Sequence, residues 1–138
     1  MLFIGRQYLI PGQLLMRRDI AALFGGNTRS FLPQTGGDVV AGCFVPAMNP
    51  RLPSEVLVGG GPMSVLGAKR LLAKRDPIPI FIKRATARWE YVGEFKAAHY
   101  TTDKREVSRR IYEIMPRIYE TYRKSYGDIR GILFLEEA

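Results

Sequence analysis

The sequence predicts an α+β fold, and three observations carry that expectation. Residues 78–97, IPIFIKRATARWEYVGEFKA, alternate apolar and polar side chains in two halves, as an antiparallel strand pair does. Upstream, the order of strand, glycine-rich turn, helix and strand suits antiparallel pairing with segregated helices. Downstream, residues 101–127 turn polar and charged with a helical period.

Taken in order, residues 2–10 predict a first strand, ended by the turn dipeptide Pro11-Gly12. Gln13 to Phe24 predicts a helix with Leu14, Leu15, Ile20, Leu23 and Phe24 inward, Arg17, Arg18 and Asp19 elsewhere, and Gly25-Gly26 as its stop. Residues 27–38 have no period and are dense in turn formers, and a loop that long in a compact domain usually serves a function or is disordered. Val39 to Val45, apolar on both faces, predicts a central strand. The three-proline stretch 46–55 predicts irregular chain, and Glu55 to Val58 a strand broken by Gly59-Gly60-Gly61-Pro62.

Ser64 to Arg75 predicts a helix with Leu66, Leu71 and Leu72 inward and Lys69, Arg70, Lys74 and Arg75 outward. Asp76-Pro77 then leads into the hairpin, where Lys83 to Arg88 predicts a basic turn. Pro79, without an N–H, predicts a sheet edge or a non-bonded position, and Gly93 a bulge of the kind found at the corner of a small barrel. The C-terminal helix is expected to be capped by Thr102, with Asp103 in its first turn and an inward stripe of Val107, Ile111, Ile114, Met115 and Ile118. Pro116 kinks or splits it, Gly127 stops it, and Ile132 to Leu135 forms a last short strand. Residues 1–138 are expected to form a single domain, with 1–100 as a small barrel and 101–138 as a helical extension with that final strand.

An apolar fraction of 46% and a charged fraction of 25% are ordinary for a globular chain, and 138 residues can bury a core without disulfides or metal. The one cysteine, Cys43, has no internal partner and reads as a small buried side chain. No apolar run reaches the length of a membrane span, and the first ten residues are too short and polar for a signal peptide, so a cytoplasmic location is expected. The charge is informative: 21 Lys+Arg against 13 Asp+Glu leave +8, with a pI of 9.9. That imbalance implies a polyanionic partner, nucleic acid or an anionic membrane. No segment joins a basic face to an exposed apolar stripe, which disfavours the membrane.

Catalytic patterns are missing. One histidine, His99, and one cysteine cannot build the usual zinc sites, and no metal or other cofactor is expected. Gly59 to Lys69 lacks the Gly-Lys-Ser/Thr ending of a phosphate loop, since Ala68 follows Gly67, and there is no G-x-S-x-G elbow. These absences lean against an enzyme.

Five short motifs remain: RRDI at 17–20, FGGN at 24–27, VGGG at 58–61, IFI at 80–82 and YVG at 91–93. Their order and spacing over residues 8–97 resemble the PUA/SRA-like β-barrel domains that precede HNH nucleases in modification-dependent restriction systems. The chain departs from that pattern at Ala21, where the family has His, and at Thr28-Arg29-Ser30-Phe31, where it has a Gly-Gly-Ile run. The resemblance implies a PUA-like (SRA/EVE/ASCH-like) barrel with flanking helices that holds DNA, or in relatives RNA, and inspects an extruded or modified base in a pocket between loops.

A flipped base needs an aromatic or apolar clamp and polar groups for its pairing edge. Asn27, Ser30, Phe31, Trp89 and Tyr91 can supply these, and Arg17, Arg18, Arg29, Lys83, Arg84 and Arg88 can meet phosphates. Each has a plainer reading: Trp89 and Tyr91 as packed aromatics, RRD as a solvated helix face, GGN as a helix stop, and the arginines of residues 105–123 as a solvated face. Should Trp89 not serve, the Gly59 to Pro62 turn with Asn49 is the next place for the pocket. The expected function is a non-catalytic reader of modified DNA, with any cleavage supplied by a separate nuclease. The alternatives are an RNA-binding PUA-type module, or a small barrel enzyme acting on a modified nucleoside with His99, Glu90 or Lys83 as its polar groups.

Overall fold

The computed structural model describes residues 2–4, 7–59, 61–114, 117 and 128–138. Among these residues, ten strands and three α-helices run in the order β1 (Leu2–Ile4), β2 (Gln7–Leu9), β3 (Leu14–Leu15), α1 (Arg17–Phe24), β4 (Gln34–Thr35), β5 (Asp38–Val39), β6 (Gly42–Phe44), β7 (Glu55–Gly59), α2 (Pro62–Lys74), β8 (Ile78–Ala85), β9 (Arg88–Thr101), α3 (Lys104–Ile114) and β10 (Ile129–Glu137). The mixed α+β class is as expected.

The main sheet has the order β6-β8-β9-β10-β7, with β3 paired to β9 off that path. Every ladder in it is antiparallel except β6 with β8. Strand β9, fourteen residues long, is its spine: residues 88–95 pair with β8, 89–90 with β3 and 95–101 with β10. Among the described residues no ladder joins β6 to β7, so strand pairing does not close the expected barrel.

The expected bulge is present and sorts the core. Ile80 faces Gly93 and Phe81 faces Tyr91, so Val92 is an extra residue in β9, and Gly93 takes φ +130°. An extra residue reverses the side-chain alternation. Trp89 and Tyr91 therefore join Phe81, Cys43, Leu15 and Ile20 under α1, whereas Phe95 and Ala97 join Ile78, Ile80, Phe44, Val56, Val58 and Leu133 under α2. A third cluster, Leu57, Ile132, Val107 and Ile111, holds α3. In β7 and β10 the neighbours of Leu57 and Ile132 (Val56, Val58 and Leu133) face α2, so α2 covers one face of the sheet and α1 and α3 the other. Arg110 ties α3 down through Glu55 at 3.1 Å, with its guanidinium 4.9 Å from the Phe134 ring centre.

Several expectations are corrected. The first strand is a hairpin of β1 and β2, with residues 5 and 6 outside the described set. The helix expected from Gln13 begins at Arg17, because the preceding backbone bonds to β9 instead: the Gly12 N–H donates to the Tyr91 carbonyl at 2.8 Å and the Tyr91 N–H to the Gln13 carbonyl at 2.9 Å. Leu14 is consequently 46% exposed. Asp19 sets the new start by accepting the Met16 N–H at 3.1 Å. The apolar stretch 39–45 is split between β5 and β6, and β6 ends the sheet path rather than lying centrally. Its outer side is covered by the loop, the Cys43 N–H donating to the Phe31 carbonyl at 2.8 Å.

On α2 Gly67, Ala68 and Leu71 are buried, Leu72 packs against the same core as expected, and Leu66 is exposed. The hairpin turn is only Thr86-Ala87, so Lys83, Arg84 and Arg88 stand on strands. Pairing of β8 with β6 begins at Ile80, one residue after Pro79. Asp103, not Thr102, caps α3, accepting the Arg105 and Glu106 N–H groups at 2.8 and 3.3 Å. The last strand has nine residues and lies between β9 and β7, inside the sheet. Gly60, Met115, Pro116 and its kink, Ile118, Arg123, Lys124 and the Gly127 stop lie outside the described residues.

Gly93→Ala tests the bulge. A Cβ there would meet only the Phe95 ring edge at 3.7 Å, so the cost is conformational. Urea unfolding should show a loss of about 1–3 kcal/mol at unchanged m-value. An unchanged midpoint would mean that the bulge does not require glycine.

Candidate functional site

A cavity of about 480 Å³ is lined from β6 by Cys43 and Phe44 and from β7 by Leu57 and Gly59, the two strands that no ladder joins. Its size falls within the roughly 300–1,000 Å³ of ligand sites. Asn49 links the two strands. Its Nδ2 donates to the Val45 carbonyl just past β6 at 3.1 Å, and its Oδ1 accepts the Leu57 N–H of β7 at 2.8 Å. The side chain is 7% exposed, one of the two buried polar residues among those described.

The loop after α1 forms the rim. Asn27 Oδ1 accepts the N–H groups of Arg29 and Ser30 at 2.9 and 2.7 Å, and its Nδ2 donates to Ser30 Oγ at 2.9 Å, an Asx-type turn. Arg17 Nη2 donates to the Ser30 carbonyl at 2.8 Å and the Asn27 carbonyl at 3.4 Å, tying the loop to α1. Gly26, at φ +78°, lets the chain return: a Cβ there would lie 2.6 Å from Pro33 Cβ. The double glycine is thus more than a helix stop, since it brings residues 28–31 to the cavity.

Two cations lie against the tryptophan, with the Arg17 guanidinium 5.1 Å and Lys83 Nζ 5.8 Å from the Trp89 ring centre. Both distances are within cation–π range. Trp89 is only 7% exposed, so little of its ring is open on the cavity that it helps to line. Arg17 Nε is buried with no acceptor. Burial pushes the Cys43 thiol up to about 11, with the Arg17 charge opposing, so the thiol is neutral at pH 7.

Of the residues singled out in the sequence, Arg17, Arg29, Ser30, Phe31, Lys83 and Trp89 line the cavity. Phe31 is half-buried, tilted against Phe44 at 6.4 Å, and is the more accessible aromatic. Asn27 does not line the cavity, and its side chain is spent on shaping the loop. Tyr91 does not line it either: it is fully buried beside Phe81, and its hydroxyl donates to Glu94 at 2.8 Å. Arg18 is exposed on α1, Arg84 is paired with Glu90 at 2.7 Å, and Arg88 lies at the hairpin end near Leu14 and Asp19. His99 is exposed and stacks on Phe134, so His99, Glu90 and Lys83 do not converge on the cavity. Cys43, Phe44, Val45, Met48 and Leu57 were not singled out as site residues, because an apolar cavity wall reads in sequence as core. Asn49 carried a signal, a lone amide in a proline-rich stretch.

No family model matches the sequence, and no curated protein matches it. Solved structures do match in fold. The SRA domain of SUVH5 in complex with hemimethylated CG DNA superposes with a TM-score of 0.61 at 11% identity, covering 100% of this chain and 94% of that one. The same domain with methylated CHH DNA gives 0.58 at 12% identity, covering 100% and 94%. Bound to fully hydroxymethylated CG DNA it gives 0.57 at 13% identity, covering 99% and 95%. The chain therefore has the SRA (PUA-like) fold.

Asn49→Ala removes both bonds that link β6 to β7, and chemical unfolding should register a loss of about 1–3 kcal/mol. Asn27→Ala, on the exposed loop, should cost less; the opposite order would make the loop the stronger tie. A second expectation concerns pH. Burial raises Glu94 above the usual carboxylate value of 4.5, the Tyr91 hydroxyl opposing. The folded state therefore binds this proton more tightly than the unfolded one. Stability relative to Glu94→Gln should be greatest below that ordinary value and fall as pH rises through the raised one. A difference between the two proteins that is flat with pH would remove Glu94 from the balance.

Proposed function

We propose that this chain is a non-catalytic reader of nucleic acid that recognises duplex DNA carrying a modified base and takes the base into the cavity between β6 and β7. The observation that supports this most is the cavity itself: a partly apolar site at the unjoined edges of the sheet, lined by Phe31, Ser30 and three cationic residues, in a chain of charge +8. The fold neighbours, SRA domains in complexes with methylated and hydroxymethylated DNA, point the same way. In this reading Phe31 stacks on the base, Ser30 and the loop it stands on meet the pairing edge, and Asn27 holds that loop in shape. Trp89 steadies Arg17 and Lys83, and Tyr91 supports the strand from the core.

Arg18, Arg29, Arg84 and Arg88 meet phosphates, and Lys83 stands at the cavity. The whole chain acts as one unit, because β10 and α3 pack onto the same sheet that lines the cavity. None of the described helices is long and apolar enough to cross a membrane. A DNA reader of this kind would work in the cytoplasm, with cleavage supplied by a separate partner such as the HNH nucleases of modification-dependent restriction systems.

Fluorescence anisotropy with matched plain and modified duplexes tests the proposal. Affinity should fall steeply as salt rises, because each neutralised phosphate releases counterions. Phe31→Ala should weaken the modified duplex by about 1–3 kcal/mol and leave the plain one nearly unchanged. Arg88→Ala should weaken both alike and reduce the salt slope by about 1. No binding to any duplex at low salt would refute the proposal, and tighter binding to RNA of the same sequence would favour an RNA-binding module.

A further inference from the structure

The polar lining of the cavity is one-sided. Among the described residues no Asp or Glu lines it, whereas Arg17, Arg29 and Lys83 do. Four nearby acceptors are already engaged: the Ser30 and Asn27 carbonyls by Arg17, the Val45 carbonyl by Asn49, and the Asn49 amide oxygen by the Leu57 N–H. The neutral Cys43 thiol adds no negative charge. Apart from the Thr28, Ser30 and Ser64 hydroxyls, which can donate or accept, the side-chain charge that remains is all on donors. Arg17 Nε is buried with no acceptor, and Lys83 faces the Trp89 ring with no ion pair among the described residues. A buried donor left without an acceptor is costly, and a ligand that supplies the acceptor recovers that cost.

We propose that the cavity selects a nucleobase bearing an anionic, acceptor-only group, of which a ring carboxylate is the simplest, with Lys83 and Arg17 as the residues that determine this specificity. The inference rests on the reading of the cavity as a base pocket. A carboxylate presents two acceptor oxygens and a negative charge, which the Lys83 ammonium and the Arg17 guanidinium both favour. A methyl group offers those donors nothing, and a hydroxymethyl group offers them only a neutral acceptor. Selection thus comes as much from rejecting neutral bases as from holding the charged one.

The test uses the full chain and four duplexes that differ only at one central base: cytosine, 5-methylcytosine, 5-hydroxymethylcytosine and 5-carboxylcytosine. The carboxylated duplex should bind about tenfold more tightly than the methylated one, the equivalent of one charge-assisted hydrogen bond. Lys83→Gln should collapse that ratio toward one. Arg84→Gln, which removes the same charge from the next residue on β8, should lower all four affinities and keep the ratio. Lys83 is exposed, so its variant tests the idea without the folding risk of replacing Arg17, which holds the loop. Competition separates a base carboxylate from a phosphate: 5-carboxyl-2′-deoxycytidine should displace the duplex where equal inorganic phosphate does not, and equal displacement by both would overturn the inference. A preference for 5-methylcytosine, or no preference among modified bases, would also overturn it while leaving the base pocket standing. Absence of binding to every duplex would overturn the reader function and this inference together.

Discussion

The bulge at Val92-Gly93 is the constraint on which the rest of the structure depends. β9 is shared by β8, β3 and β10, and its residues 89 and 91 can lie on one face while 95 and 97 lie on the other only if the side-chain phase reverses between them. Gly93, at a φ that an L side chain resists, makes the reversal. Without it Trp89 and Phe95 would point to the same face. With it Trp89 stays under α1, where it meets Arg17, and Phe95 packs with Ile78 under α2.

The cavity follows from how the sheet ends. β6 lies at one end of the strand order and β7 at the other, and between them stands a side-chain link, Asn49, instead of a ladder. A ladder would fill the gap with backbone. One amide holds the separation and leaves room, and its burial is tolerated because both of its ends are bonded. The loop from α1 reaches the same gap because Gly26 lets it turn back and Arg17 fastens it. Arg17 therefore has three parts in one place: it ties the loop, packs on Trp89, and presents a buried donor beside the cavity.

This arrangement decides what surrounds the aromatic residues. A tryptophan beside a basic hairpin reads naturally as a stacking surface, yet the cations nearest it are what cover its ring. Of the three aromatics that line the cavity, Phe31, Phe44 and Trp89, the least buried is Phe31, on the loop where the chain departs from the pattern it resembles.

Much of the fold was legible in the sequence. The alternation of residues 78–97, the bulge at Gly93, the stop at Gly25-Gly26 and the period of α2 and α3 are local signals, and local backbone preference is what sequence patterns encode. The +8 charge and the cluster of arginines around residues 17–29 and 83–88 were equally plain. The tertiary structure decided the rest. Leu14-Leu15 became strand because β9 offered backbone partners, against a helical pattern that continued through them. Asn27 turned inward to its own loop, Tyr91 went to the core on the phase set by the bulge, and Asn49 became the tie between distant strands. Which donors face one cavity, and which are already engaged, depends on contacts between residues far apart in the chain, and no local pattern records those.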